Sequence, residues 1–266
     1  MNTSAATLKG YLYEFIVFGL KEARACIFAG SFFFLLFVSK YIPLGDIARY
    51  DFLFVSAVAL QIILYLTKVE TWDEVKTVFL VHIIGFVLET FKTHPSVGSW
   101  SYPEPGFFTI GTVPLFAGFM YAAVASYGMQ AWRLLKFELH EQPNYALTLV
   151  LCAAIYLNFF TNHFIPDFRI LLIPAAFLLF ARTTLTFVVI NEVRRIPVAL
   201  GFCLVAFFIW IAENISTFYG AWQYPDQVHV WTVVSTNKIT SWFLLVIISF
   251  IIVSYLKHYK KDVLHQ

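Results

Sequence analysis

The stretch VFLVHIIGFVLETFKTHPSVGSWSYPE, from Val78 to Glu104, joins a long apolar run to a short aromatic loop. Runs of this kind recur along the chain, and about 17 to 25 mainly apolar residues suffice for a helix to cross the bilayer core. Of the 266 residues, 60% are hydrophobic and only 13% are charged, whereas a soluble protein has about a quarter charged residues. The sequence therefore predicts an all-α fold, a polytopic transmembrane helical bundle.

The apolar runs predict eight membrane helices, preceded by an amphipathic helix over residues 8–22 that lies along the inner membrane interface. The predicted spans are 24–41, 51–67, 75–91, 108–130, 145–162, 169–188, 196–214 and 240–257. An even number of spans places both termini on one side of the membrane.

The distribution of Lys and Arg predicts which side that is. With the termini in the cytoplasm, thirteen of the 18 basic residues fall in inner segments. The five that remain outside are Lys40, Arg49, Lys92, Arg169 and Lys238. Because inner loops of membrane proteins are enriched in Lys and Arg, we expect cytoplasmic N- and C-termini.

Two copies of one motif indicate an internal duplication. GSWSYPE begins at Gly98 and GAWQYPD begins at Gly220, and each copy follows a glutamate near the end of an apolar run. The chain is therefore predicted to consist of two four-helix repeats, residues 1–135 and 136–266, within one integrated membrane domain. Four crossings return the chain to its starting side, so the repeats would be parallel, related by an axis along the membrane normal.

The two glutamates, Glu89 and Glu213, are the candidate catalytic residues. An ionisable group inside a membrane span is costly and usually faces a cavity or a partner. Two acids in one poorly hydrated pocket could divide the roles of general acid and general base. The alternative is that each glutamate is a solvated helix end.

Polar and aromatic side chains near these acids are candidate substrate-binding residues. They are His82, Lys92, Trp100, Tyr102, Asn158, Asn214, Trp222 and Tyr224. His82 lies two helical turns before Glu89 and Lys92 lies one turn after it, which predicts a shared helix face. The Trp and Tyr residues could instead anchor the chain at the membrane interface, and Asn158 could serve helix–helix hydrogen bonding.

Composition and spacing also exclude several classes of function. A net charge of +2 gives no reason to expect a nucleic-acid partner. Cys26, Cys152 and Cys203 lie in apolar runs without metal-ligand spacing, and the histidines form no dense cluster. We therefore expect no metal and no cofactor.

The segment from Gly98 to Phe116 resembles the repeated unit of the membrane-bound lycopene cyclases, and Gly111 to Leu115 resembles the Gly-Val-Pro-Leu piece of the integral-membrane carotenoid hydratases. Both families act on long isoprenoid chains by acid-initiated chemistry. Where the cyclases have Pro-x-Glu-Glu, this chain has Pro114, Leu115, Phe116 and Ala117.

Along its whole length the chain resembles a bacterial membrane-protein family of unknown function, the YoaT-like family. This resemblance implies a location in the bacterial inner (plasma) membrane and implies no activity.

Three functions remain open from the sequence. The first is an enzyme that modifies a membrane lipid or an isoprenoid, carotenoid-type ligand in an outward-facing pocket. The second is a proton-coupled small-molecule transporter that uses the same acids. The third is a non-catalytic membrane scaffold or sensor, and the oligomeric state is open in each case.

Overall fold

The computed structural model describes residues 3–264, with side chains for residues 8–256. Met1 and Gln266, the termini that the basic residues place in the cytoplasm, lie outside the described residues. The side chains of Lys257, Lys260 and Lys261, three of the basic residues counted as cytoplasmic, lie outside them too.

The described part of the chain is mainly helical, which confirms the helical part of the prediction. Its α-helices are α1 (Thr3–Ala25), α2 (Ile27–Val38), α3 (Arg49–Leu66), α4 (Trp72–Lys92), α5 (Ala117–Leu134), α6 (Tyr145–Thr161), α7 (Arg169–Leu179), α8 (Val198–Phe218) and α9 (Asn237–Leu264). A single 3₁₀ turn over Pro225–Gln227 precedes α9 in the described residues.

Two small antiparallel sheets correct the all-α expectation. The first is a hairpin of β1 (Thr109–Ile110) and β2 (Val113–Pro114), which turns at Gly111 with a φ of 62°. The second sheet has the order β3 (Glu138–His140), β4 (Thr184–Val188) and β5 (Val193–Pro197).

These strands shorten two of the predicted spans. Residues 108–130 begin with the first hairpin, so α5 starts only at Ala117. Residues 169–188 contain α7, which ends at Leu179, and then β4, whose sequence TLTFV is rich in residues that favour strands. An apolar run by itself does not distinguish these two structures.

Three helices in the described chain are long and apolar enough to cross a membrane. They are α3, α8 and the Asn237–Leu256 part of α9. The apolar helices α2, α6 and α7 are shorter; α7 extends only about 16 Å, against about 30 Å for a bilayer core.

Two glycines allow α4 and α5 to pack closely. A Cβ atom on Gly85 would lie 2.4 Å from Cγ of Tyr121, and one on Gly118 would lie 2.6 Å from Nδ1 of His82. Small residues permit such close approach of two helix backbones. This packing brings Tyr121 against the C-terminal half of α4, where Glu89 lies.

We predict that Gly85→Ala destabilises the protein by about 1–3 kcal/mol, because the added methyl group meets the base of the Tyr121 ring and not its flexible end. Gly30→Ala is the matched control, since a Cβ on Gly30 would meet nothing within 4 Å. Alanine stabilises a helix relative to glycine, so the control should be neutral or stabilising. Thermal unfolding of both variants in detergent tests this, and equal effects would contradict the role of Gly85.

Candidate functional site

Glu89 lies in the last turn of α4 and is only 2% exposed. Its Oε2 accepts hydrogen bonds from Trp100 Nε1 and from the Tyr102 hydroxyl, both at 2.8 Å. Its Oε1 accepts a third from the Tyr121 hydroxyl, also at 2.8 Å. Two donors come from the aromatic loop after α4 and one from α5, so the carboxylate is satisfied entirely by neutral groups.

Glu213 occupies the corresponding position near the end of α8 and is 4% exposed. Its Oε1 accepts a hydrogen bond from the Tyr224 hydroxyl at 2.5 Å, and its Oε2 accepts one from Trp242 Nε1 at 2.9 Å. One donor again comes from the following loop and the other from the next helix, here α9. No ion pair reaches either glutamate from the side chains of residues 8–256.

The spacing Trp-x-Tyr follows from an extended backbone. Alternate residues of an extended segment point to the same side, so Trp100 and Tyr102 can both reach Glu89. Gly98 and Gly220, which open the two motifs, have φ angles of 56° and 67°. Glycine adopts this left-handed conformation at little cost, and it turns the chain from the helix end into the loop.

The two loops join directly through their middle residues. Ser101 N donates to Gln223 O at 2.9 Å, and Gln223 N donates to Ser101 O at 3.0 Å, as in an antiparallel ladder. The ring of Trp100 also packs edge-on against Tyr224, with centroids 6.1 Å apart. The two aromatic loops therefore form one continuous structure above both glutamates.

A further aromatic contact joins α5 and α9, the helices that supply the remaining hydrogen-bond donors to the two glutamates. The rings of Tyr121 and Trp242 lie 5.9 Å apart. Since Tyr121 donates to Glu89 and Trp242 donates to Glu213, the two carboxylates belong to one connected site.

Lys238, in the first turn of α9, completes this site. Its Nζ lies 4.2 Å from the ring centroid of Tyr224 and 5.1 Å from that of Trp100. Such cation–π contacts stabilise an ammonium group without a direct ion pair. Lys238 also interacts electrostatically with both Glu213 and Glu89.

Arg49 fixes the positions of the two aromatic loops relative to each other. Its guanidinium group is almost fully buried and donates to the Glu104 carboxylate at 2.8 Å and to the carbonyl oxygens of Tyr219 and Gly220 at 3.0 and 3.2 Å. Its other hydrogen bonds go to Ser39 Oγ and the Leu36 carbonyl at the end of α2. A single side chain thus links α2, the first aromatic loop and the end of α8.

The loop tyrosines act as hydrogen-bond donors throughout the physiological pH range. Burial raises the pKa of Tyr102 and of Tyr224 well above the usual value, and the neighbouring glutamate raises each further. Both hydroxyls therefore stay protonated and oriented towards the acids.

Comparison with known proteins places the chain in a family. The family model described as "Protein of unknown function (DUF817)" matches residues 14–250. The chain belongs to the DUF817 family. It is similar to "Uncharacterized protein YoaT" of Bacillus subtilis (strain 168), with 48% identity over 249 residues that cover 94% of each chain. No solved structure matches it.

These findings confirm the predicted YoaT-like family and identify the chain as an uncharacterised protein of unknown function. Neither the family description nor that of the relative names an activity.

The structure brings several of the predicted site residues of this DUF817 protein together. Glu89, Trp100 and Tyr102 form one hydrogen-bonded group, and Glu213 with Tyr224 forms the other. Trp222 is buried, but it lies beside the Tyr224 hydroxyl, and the indole that donates to Glu213 belongs to Trp242.

His82 and Lys92 do not contact Glu89, although both are on α4. The Nδ1 atom of His82 is buried without a hydrogen-bond partner among the described residues, and its ring lies 4.5 Å from that of Phe119. The Nζ of Lys92 instead bonds Asn162 Oδ1 at 3.0 Å and His163 Nε2 at 2.9 Å.

Asn158 and Asn214 form hydrogen bonds with neighbouring loop and helix groups and not with the two glutamates. Asn158 donates to Asp167 and accepts from the Phe168 amide, which shapes the turn between α6 and α7. Asn214 donates to the Trp210 carbonyl and accepts from the Val234 amide, which fastens the loop before α9.

Sequence reasoning missed Tyr121, Trp242 and Lys238 as members of the site. A signal was present, because Tyr121 follows Tyr102 by 19 residues and Trp242 follows Tyr224 by 18. An aromatic donor at matching positions in the two following helices is the counterpart of the repeated loop. Among the described residues, no group of three or more His, Cys, Asp or Glu side chains could hold a metal ion.

We predict that Tyr224→Phe destabilises the protein by about 1–3 kcal/mol, because a buried carboxylate oxygen loses its donor. Tyr41→Phe is the matched control, since Tyr41 is 66% exposed and its hydroxyl has no partner among the described side chains. Chemical unfolding monitored by Trp fluorescence measures both changes. A loss no larger than that of the control would show that the Tyr224 hydroxyl does not support Glu213.

We also predict that Lys92→Gln raises the pKa of His163. Burial lowers this pKa, the positive charges of Lys92 and Lys238 lower it further, and Asp167 opposes them. Removing one cation favours the imidazolium form, so the midpoint should move up towards 6.5. An NMR titration of the His163 ring measures the shift, with Lys40→Gln as a variant that should leave it unchanged.

Proposed function

We propose that this DUF817 protein is a multi-pass protein of the bacterial inner membrane, with both termini in the cytoplasm. Large apolar side chains on several helices support this arrangement, because they are exposed in the structure and lipid would cover them. Examples are Phe34, Ile170, Leu178 and Phe208, which are 64%, 77%, 78% and 65% exposed.

In this arrangement the chain consists of two parallel four-helix halves, residues 1–135 and 136–266. The equal placement of Glu89 and Glu213 and the symmetric bridge between Ser101 and Gln223 support this proposal. The carboxylate site then lies at the outer face, away from Arg133 and Arg194 at the other end of the helices.

The function we propose is modification of a membrane lipid or isoprenoid-type substrate by acid–base chemistry at the two glutamates. The observation that carries it is that two buried acids share one site and are held by neutral donors alone. A carboxyl group in such a network can gain or lose a proton without breaking an ion pair. The positions of donors and acids are fixed before any substrate binds, as general acid–base chemistry requires.

Glu89 and Glu213 accept different numbers of hydrogen bonds, and this difference assigns the roles of base and acid. Hydrogen bonds to a carboxylate favour its charged form, and Glu89 receives three whereas Glu213 receives two. Glu89 is therefore the base in this scheme and Glu213 the acid. Aromatic rings such as that of Trp242 line the site, and a ring face can stabilise a positive charge developing on an apolar substrate.

An apolar cleft next to the site supports a lipid-like substrate. It is lined by side chains of α4, α6 and α9, among them Leu88, Tyr156 and Ile248, and Tyr121 forms part of its wall. The hydroxyl of Tyr121 donates to Glu89, so this cleft, an open groove with about 330 Å³ of empty space, runs beside the acid.

The resemblance of the aromatic loops to the lycopene cyclases and carotenoid hydratases agrees with an isoprenoid substrate. The two glutamates of the cyclases' Pro-x-Glu-Glu segment are replaced in this chain by Phe116 and Ala117. We therefore do not propose lycopene cyclisation itself.

A proton-coupled transporter is the second candidate, favoured by the same absence of ion pairs at Glu89 and Glu213. Alternating access in a two-repeat transporter requires one half to move against the other. The bridge between Ser101 and Gln223 joins the outer loops of the two halves and opposes such movement. A scaffold or sensor would not need two buried acids, whose burial is costly.

We predict that Glu89→Gln and Glu213→Gln each lower conversion of the substrate by about 100-fold or more, because each removes a proton-transfer group. Total lipid and pigment extracts of cells lacking the protein, or carrying the wild type or a variant, measure this. The two variants should reproduce the deletion profile.

Glu70→Gln is the matched control for the loss of a buried acid. Glu70 is 1% exposed and bonded to neutral side chains, Gln61 and Ser126, near the opposite end of α4. Its variant should restore the wild-type lipid profile. An unchanged profile in the deletion strain, with uptake by proteoliposomes that depends on a pH gradient and on both glutamates, would replace the enzyme with the transporter.

A further inference from the structure

Lys92 is a buried cation without a counter-ion. It is 5% exposed, and its two hydrogen-bond partners, Asn162 Oδ1 and His163 Nε2, are both neutral acceptors. No carboxylate among the described side chains lies within salt-bridge distance of its Nζ. Burying an ammonium group without an anion is unfavourable, so this arrangement calls for a negative partner.

Lys238 lies close enough to Lys92 for their charges to repel each other. Its ammonium group rests over the Tyr224 and Trp100 rings, and no described side chain or backbone atom accepts a hydrogen bond from it. Glu213, Glu89 and Asp226 attract it, but no carboxylate among the described residues pairs with it directly. Its donors are therefore available to a ligand.

Arg169 increases the positive potential of this region, since its charge acts on both Lys92 and Lys238. Its own guanidinium is paired with Asp167, with Nε 2.6 Å from Oδ2. Asp167 is thus engaged with Arg169, and it offsets the charge of Lys92 only from a distance, without an ion pair.

Ser99 and His163 connect the two lysines across the outer surface. Ser99 Oγ lies 3.2 Å from His163 Nε2, which in turn contacts Lys92. The next residue, Trp100, carries Lys238 over its ring. His163 is exposed and Ser99 is half-buried, so this arc of polar groups opens to the outside next to the carboxylate site.

We propose that Lys92, Lys238, Ser99 and His163 bind a phosphate group, which is the polar head of the substrate handled at Glu89 and Glu213. Among the described residues, Lys238 has its N–H donors free, and Lys92 keeps one N–H beyond those given to Asn162 and His163. Ammonium groups of this kind bind phosphate oxyanions through charge-assisted hydrogen bonds. The substrate class is then a phosphorylated amphiphile whose chain lies in the apolar cleft. The statement that this amphiphile is the substrate rests on the proposed function. The binding of a phosphate group by these residues does not depend on the proposed function.

The test uses the purified full chain in nanodiscs of phosphatidylcholine. One series adds inorganic phosphate or pyrophosphate, and a second replaces part of the lipid with phosphatidate. Thermal unfolding and ³¹P NMR measure binding. We expect wild-type protein to be stabilised, and Lys92→Gln and Lys238→Gln each to weaken binding about tenfold through loss of a charge-assisted contact.

Lys40→Gln is the matched control, because Lys40 lies on the same side of the protein and is paired with Glu104 at 3.8 Å. It should bind phosphate as the wild type does. Without added phosphate, pyrophosphate or phosphatidate, Lys92→Gln should not lower the unfolding temperature, since it removes an uncompensated charge. A lower temperature would mean that Lys92 is a structural group and would overturn the proposal.

The two series distinguish the source of the phosphate. Stabilisation by phosphatidate alone identifies a lipid head group, and stabilisation by the soluble anions identifies a site that also accepts a free phosphate. No binding in either series, or an equal loss in Lys40→Gln, would overturn the inference. Lysine-dependent phosphate binding that persists in Glu89→Gln, together with an unchanged lipid profile in the deletion strain, would leave this site standing and remove the proposed catalysis.

Discussion

A carboxylate taken out of water needs hydrogen-bond donors in place of the water it has lost. This requirement organises the end of the protein that contains the two aromatic loops. Glu89 and Glu213 are buried near the ends of two helices, and no cation pairs with them among the described side chains. The chain therefore has to bring O–H and N–H groups to them from loops and from neighbouring helices.

The loops and helices around Glu89 and Glu213 are arranged so that they supply these donors. The loop after each glutamate runs extended so that its Tyr can reach the carboxylate. Gly85 permits the close packing of α4 and α5 that places Tyr121 on Glu89. Arg49 fixes the positions of the loop ends through backbone carbonyls, and the bridge between the loops makes two separate clusters into one.

Much of this end of the fold could be predicted from the sequence, because the repeated motif and the preceding acids are visible there. The mainly helical content was also predictable from apolar runs. The strand β4 was not, since Thr184–Val188 continues an apolar run and its short length carries no clear periodicity. The first hairpin was hidden in the same way within the run that leads into α5.

The members of the site that were missed or misplaced share one cause. Helical spacing tells which residues lie on one face of one helix, but it does not tell where a long side chain ends. Lys92 is one turn from Glu89, yet its side chain turns away to the α6–α7 loop. Tyr121 and Trp242 come from other helices, so only the packing of those helices reveals that they reach the acids.

The bridge between Ser101 and Gln223 explains which positions of the motif are free to differ. These two residues contribute main-chain atoms to the bridge. Since side chains alternate along an extended segment, the middle residue is directed to the side opposite to the flanking Trp and Tyr. One copy of the motif has a short hydroxyl side chain there and the other has a longer amide, without any change in the pairing. The middle position of the motif therefore tolerates different side chains, whereas the flanking Trp and Tyr residues are constrained by their hydrogen bonds and ring contacts in the site.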